Sequence, residues 1–137
     1  MKTVILDGSN IIRTMYNTSF GINYEVEKIL TDSLIRTVES LNGSTDPLRI
    51  EIYFDGPKRE VYRPAEFVEI FFSKLKKADQ LIVNATESLE EMGYQNVLVV
   101  TQDKDLGEEC QYYGAEVMSA KDFLRRCQDF MEGFARA

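Results

Sequence analysis

Apolar positions along this chain switch repeatedly between two periods. Lys2–Leu6 opens as a nearly continuous apolar run led by Thr3, Val4 and Ile5, the pattern of a strand buried on both faces. Asp7-Gly8-Ser9-Asn10 follows as a turn; Ser9 or Asn10 is suited to cap a short helix reaching about Tyr16, and residues 17–23 read as loop. From Tyr24 to Leu41, Val26, Ile29, Leu30, Leu34, Val38 and Leu41 return at helical spacing, and Asn42-Gly43-Ser44 supplies the stop. Arg49–Phe54 alternates as a strand and ends in Asp55-Gly56-Pro57, after which the polar stretch Lys58–Pro64 leads to a third strand near Phe67–Phe72. The spacing predicts a helix over Lys76–Met92, with Leu81, Ile82, Ala85 and Leu89 on one face and Gly93 at its end. Asn96–Thr101 is a second strongly apolar strand, and Asp103–Tyr113 a helix stopped by Gly114. A short strand, Glu116–Met118, and a closing helix from Ser119 to about Phe134 complete the pattern.

Alternation of this kind implies an α/β domain with a mostly parallel five-stranded sheet and helices on both faces. The most apolar strands, the first and fourth, belong at its centre, while Glu51, Glu66 and Glu69 mark the second and third as closer to an edge. The order 3-2-1-4-5 satisfies both preferences. It puts a switch point between the first and fourth strands, where open sheets bind ligands beyond their carboxyl ends. The connection between the second and third strands is near the minimum for a parallel crossover, and the two are nevertheless expected to run parallel. Residues 1–137 have the size of one domain. Phe67, Phe71 and Phe72 are expected in the core, and Phe123, Phe130 and Phe134 against the sheet.

Composition removes several chemistries. There is no histidine, so histidine triads, histidine-liganded zinc and imidazole acid–base catalysis are excluded within this chain. No apolar run approaches the roughly 20 residues of a membrane helix, and the first residues lack the basic start and long apolar stretch of a secretion signal. Two scattered cysteines, Cys110 and Cys127, fit reduced residues better than a disulfide framework, and a cytoplasmic location is expected. A net charge of −7 argues against a protein that coats nucleic acid nonspecifically, but not against an enzyme whose acids hold divalent cations.

The candidate chemistry stands where the strands end. Asp7 follows the first strand, Asp55 the second, and Asp103 and Asp105 the fourth; Asp79 lies near the start of the helix after the third. The proposed order brings all of them to one edge of the sheet. Converging carboxylates repel one another unless a cation sits among them, and hard oxygen ligands favour Mg²⁺ or Mn²⁺. Such a site acidifies water and stabilises charge on a phosphodiester. Each acid also has a structural reading: Asp55 as a turn former, Asp103 as a helix cap, Asp105 as a complement to the helix dipole, Asp79 as a solvated helix residue.

Val4-Ile5-Leu6-Asp7-Gly8-Ser9-Asn10-Ile11-Ile12 resembles the opening motif of NYN domains, especially their YacP-like branch, in the PIN-like nuclease group. Similar to that branch are Tyr53-Phe54-Asp55, Phe71-Phe72-Ser73 with Ala78-Asp79, and Val99-Val100-Thr101-Gln102-Asp103-Lys104-Asp105. So are Tyr113-Gly114-Ala115 and Met118-Ser119-Ala120-Lys121-Asp122-Phe123. The ordered set spans nearly the whole chain. The resemblance implies a PIN-like three-layer sandwich and Mg²⁺- or Mn²⁺-dependent cleavage of RNA (mRNA, rRNA or tRNA, with ribosome association conceivable). It also implies metal binding by Asp7, Asp79 and Asp103, with Asp105 as a fourth carboxylate. Asn10 would orient Asp7 or touch the substrate phosphate.

Substrate contacts are expected from Lys58, Arg59, Tyr62 and Arg63 after the second strand, from Lys74, Lys76 and Lys77 after the third, and from Arg13 beside Asp7. The plain alternative for these is a solvated loop and helix start. A second function class is a PIN-like domain that binds RNA, a ribosome or a protein without cutting. A dehalogenase-like phosphatase would need an acid two residues after Asp7, where Ser9 stands, and a receiver domain would need an acidic pair ending the first strand.

Overall fold

The computed structural model describes residues 2–16, 23–41 and 48–136, with the backbone alone for 16 and 129–136. The expected stop at residues 42–44, most of the 17–23 loop, and the packing of Phe130 and Phe134 lie outside the described residues. The elements run β1 (Lys2–Asp7), α1 (Gly8–Tyr16), α2 (Tyr24–Glu39), β2 (Leu48–Phe54), β3 (Val68–Phe72), α3 (Ala78–Glu91), β4 (Val97–Val100), α4 (Lys104–Tyr112), β5 (Glu116–Met118) and α5 (Ala120–Arg136). The strands form one sheet in the order β3-β2-β1-β4-β5, and every neighbouring pair is parallel.

Strand alternation decides which side chain meets which layer. Val4 and Leu6 of β1 join Ile11 and Ile12 of α1, Leu34, Ile35 and Val38 of α2, and Phe123 and Cys127 of α5 in one core cluster. Ile5 points the other way and meets Ala78, Ile82 and Leu89 of α3 with Leu106 and Cys110 of α4. The same period carries Asp7 to the α3/α4 side. Gly8 then starts α1 against the other face, and a Cβ there would lie 2.6 Å from a ring carbon of Phe54 and 2.9 Å from Ile52 Cγ2. Only glycine lets α1 leave the strand this close to β2.

Three local expectations change. Ser9 and Asn10 do not cap α1, because the helix begins at Gly8 and both side chains reach across to neighbouring strand ends instead. Ile29 is exposed rather than part of the apolar stripe of α2. Glu51 is no edge residue: it is buried, accepting a 2.7 Å bond from the Tyr53 hydroxyl and pairing with Arg49 at 3.0 Å, while Arg49 also meets Glu69 at 3.2 Å. Phe67, Phe71 and Phe72 pack against the core as expected, with Phe71 stacked on Tyr53 and Phe72 on Phe54.

The crossover from β2 to β3 contains no helix; residues 55–67 lie over α2 and are held by that helix's acids. Asp32 accepts from the Tyr62 amide, Glu39 from the Tyr62 hydroxyl and the Ala65 amide, and Glu27 from Arg59. Hydrogen bonds from α2 thus replace the crossover helix that a parallel pair ordinarily uses. Among the described residues, no helix is long and apolar enough to cross a membrane.

Candidate active site

The carboxyl ends of β1 and β4 are tied together through one hydroxyl. Thr101 Oγ1 donates a 2.8 Å hydrogen bond to Asp7 Oδ2 and accepts one of 3.0 Å from the Asp103 amide. One residue thereby fixes the carboxylate of the first strand and the backbone of the fourth-strand motif. A second link lies beside it: the Gln102 amide donates to Asn10 Oδ1 at 2.7 Å, and Gln102 Oε1 accepts from the Lys121 amide at the start of α5. Asn10 therefore positions the β4–α4 loop and makes no contact with Asp7 of the kind one of its expected roles required.

Asp7 is only 7% exposed. Burial pushes its carboxyl up to about 6; Thr101 and Arg13 oppose that shift, while the charges of Asp55 and Asp103 add to it. The group is thus a buried acid whose ionised form is poorly supported by its own surroundings.

Asp103 caps α4. Its Oδ1 accepts from the amides of Asp105 and Leu106, at 3.0 and 3.2 Å. Asp103, Asp105 and Glu109 line a cleft of about 220 Å³ with Asp79, Gln80, Val83 and Leu106. Glu109 was not among the expected acids, although it stands four residues after Asp105 and so on the same face of α4. The structure thus divides the predicted set: Asp79, Asp103 and Asp105 line the cleft, while Asp7 is buried outside that lining and joined to Asp103 through Thr101. Among the described residues, no three acidic or thiol side chains stand close enough together to cage an ion.

Asp55 takes the structural part left open for it. Its Oδ1 accepts from the Ala78 amide at the start of α3, its own amide donates to Ser9 Oγ, and Arg13 lies 4.0 Å from Oδ2. Two motif residues with no role expected from the sequence, Thr101 and Ser73, do similar work; Ser73 Oγ accepts from the Gly56 amide and holds the β2 end to the β3 end. The signal for Thr101 was its place between a buried strand and an acidic motif, but a threonine there is equally a strand residue.

The basic residues separate as well. Arg59 donates to the Asp55 and Pro57 carbonyls and to Glu27, and its guanidinium covers the Phe72 ring at 4.9 Å. Tyr62 bonds Glu39 and lies under Arg36. Both are occupied within the fold rather than presented to a substrate. Lys58, Arg63, Lys74, Lys76 and Lys77 are exposed, as is Arg13.

A parallel α/β sheet in this order, with acids gathered beyond β1 and β4, is the arrangement expected of a PIN-like domain. Residues 4–135 match the YacP-like NYN domain, and the chain belongs to that family. Its fold is similar to that of Rae1 (YacP) from Bacillus subtilis, with 23% identity and a TM-score of 0.78 over 99% of this chain and 79% of that one. A structure of a tryptophan-to-leucine mutant of Rae1 aligns at 22% identity and a TM-score of 0.75, over 98% of this chain and 79% of that one. No curated protein matches the chain. The family places the protein in a ribonuclease-type class.

Proposed function

We propose that this chain is a Mg²⁺- or Mn²⁺-dependent endoribonuclease whose reacting centre lies over Asp7 and the acidic cleft. The observation that carries the reading is Asp7 itself: a buried carboxylate at the switch point, bonded by Thr101 and raised to about 6 by burial and by neighbouring acids. A group so placed gains from a cation more than a solvated acid would. The donor set fits a hard ion in kind, being oxygen throughout. Mg²⁺ keeps several waters and binds through one or two carboxylates plus substrate phosphate, a demand that oxygen donors of this kind can meet.

Asp7 and Asp103 would hold the ion, and Asp79 and Asp105 would bind its waters or complete its ligands from the cleft wall. When bound, the ion supplies acidified water and charge stabilisation at the phosphodiester. Thr101 keeps Asp7 in one rotamer and joins it to the Asp103 backbone. Asn10 holds the loop that carries Asp103. The exposed cationic residues (Arg13, which also pairs with Asp55, and Lys58, Arg63, Lys74, Lys76 and Lys77) would meet the RNA, whether mRNA, rRNA or tRNA, free or on a ribosome. The buried free thiols Cys110 and Cys127 suit the cytoplasm.

Cleavage of end-labelled RNA in Mn²⁺ tests this directly. Wild type should cut within the chain, and Asp7→Asn and Asp103→Asn should each lose on the order of 10²–10³ in rate, as removal of a charge-stabilising group does elsewhere. Equal rates in all three would sink the catalytic assignment. A second reading, binding of RNA or of a protein without cutting, draws on the commitment of the Asp103 carboxylate to capping α4. RNA binding with no turnover in Mg²⁺ or Mn²⁺, and no thermal stabilisation by either ion, would establish it.

A further inference from the structure

Leu75 is the most exposed large apolar side chain among those described, with no part of it covered. A lone exposed leucine is ordinary. This one stands on a corner built to present it. Lys74 holds a left-handed backbone, φ 61°, which a residue with a Cβ rarely adopts. The corner is pinned on both sides: the Ser73 amide donates to the Phe54 carbonyl, the Lys74 amide to the Gly56 carbonyl at 2.7 Å, and the Lys76 amide to the Ser73 carbonyl. Strain held in place by surrounding bonds recurs at ligand clamps, active sites and switch regions.

The flanks carry charge of one sign. Lys74, Lys76 and Lys77 are all exposed, on a protein whose net charge is −7. Lys76 and Lys77 line an open depression with Asp79, Gln80 and Asn84, and Asp79 and Gln80 also line the acidic cleft. The depression and the cleft are therefore neighbours across the first turn of α3. Cations next to an acidic cleft, with one apolar tip beyond them, match a polyanion that also offers flat apolar faces.

We infer that the Ser73–Lys77 corner is a preformed docking tip for single-stranded RNA. Leu75 packs on a base or ribose, and Lys76 and Lys77 hold the phosphates next to it, so that the strand passes over Asp79 and Gln80 into the cleft. The ligand assignment rests on the ribonuclease reading; the preformed tip does not. Because the corner is already rigid, binding loses little conformational entropy there.

The test uses the full chain in EDTA, so that nothing is cleaved, and a short 5′-fluorescein single-stranded RNA of mixed sequence, read by anisotropy over a range of salt. Leu75→Ser should weaken binding about tenfold with an unchanged salt slope, since it removes apolar burial alone. Lys76→Ala with Lys77→Ala should weaken binding at low salt and reduce the salt slope by about 1.4, roughly 0.7 for each phosphate released. All three positions are solvent-exposed, so circular dichroism should show unchanged folding. If both variants bind RNA as wild type does, the inference is overturned and the tip is left to a protein partner. A loss in the lysine variant alone overturns the Leu75 contact. Cleavage in Mn²⁺ on the same samples keeps the two readings apart. Tip-dependent binding without cleavage defeats the ribonuclease assignment and leaves the tip; cleavage with unchanged KM in the variants does the reverse.

Discussion

Two basic segments follow neighbouring strands at the same edge of the sheet, and the fold uses them in opposite ways. After β2, Arg59 and Tyr62 are bonded to α2 and serve as the substitute for a crossover helix. After β3, Lys74 to Lys77 stand on a pinned corner with their side chains in water. The acids divide along the same line. Asp55 accepts from the first amide of α3 and lies beside Arg13, whereas Asp7 is buried where its charge is poorly supported. Charges committed to the fold and charges left over for a ligand are indistinguishable by residue type; they differ in what lies within hydrogen-bond reach.

The largest test of this division is at Asp7. Its folded value, about 6, lies above the ordinary 3.8, so the native state keeps the proton to higher pH than the unfolded chain does. Stability therefore falls as pH rises between about 4 and 6, and the full penalty applies above that window. A rise from 3.8 to about 6 corresponds to about 3 kcal/mol at most. Asp7→Asn, which keeps an acceptor for Thr101, should be more stable than wild type by up to that amount at pH 8 and equal to it near pH 4. Urea unfolding at the two pH values reads this, and a difference that does not change with pH would break the contrast between Asp7 and Asp55. Added Mg²⁺ should raise the stability of wild type at pH 8 and leave Asp7→Asn unmoved.

The sheet order is legible in the sequence because Val4–Leu6 and Val97–Val100 are too apolar for anything but the centre, and the central pair fixes where the Asp7 and Asp103 motifs meet. What escaped the sequence were pairings between distant elements. Glu51 looks like an edge acid until Arg49 and the Tyr53 hydroxyl are seen to bury it. Arg59 and Tyr62 look like an RNA grip because nothing local shows that Glu27, Asp32 and Glu39 of α2 lie beneath them. Thr101 could be read only as a strand end, since its meaning depends on Asp7, far back in the chain. Glu109 was within reach, four residues from Asp105, and needed only the helical face to be followed one turn further.

The next largest effect belongs to Arg59. Its guanidinium joins two loop carbonyls, Glu27 and the Phe72 ring with little exposure to water, so Arg59→Ala should destabilise the protein by about 2 kcal/mol. Arg59→Lys should recover only part of this, because an ammonium cannot span the same forked set of acceptors. RNA affinity of the folded variant should stay at the wild-type value. A variant of normal stability but weakened RNA binding would move Arg59 to the other side of the division.

Gly8→Ala reads the fit of the Asp7 turn rather than its charge. The added methyl group meets Phe54 and Ile52 inside van der Waals distance, and Phe54 is itself held between Phe72 and the core, so it has little room to shift. Overpacking of this kind costs about 1–3 kcal/mol. Differential scanning calorimetry at pH 5 and pH 8 should show a similar loss at both, which separates a steric cost from the titration of Asp7.

Lys74→Gly carries the smallest expected effect and bears on the corner itself. A left-handed backbone costs a residue with a Cβ about 1–2 kcal/mol, a strain glycine does not have. Glycine, in turn, frees the unfolded chain by about 0.4–1 kcal/mol. The difference predicts a gain of about 0.5 kcal/mol, seen as a raised urea midpoint with an unchanged slope. A loss of more than about 1 kcal/mol would mean that the lysine side chain contributes to the corner and that Lys74 belongs with Arg59 among the charges the fold has taken up. A small gain, with the Leu75 contribution to RNA binding intact, would mean that the backbone bonds to the Phe54, Gly56 and Ser73 carbonyls hold the corner's shape, leaving the Lys74 side chain with no structural duty.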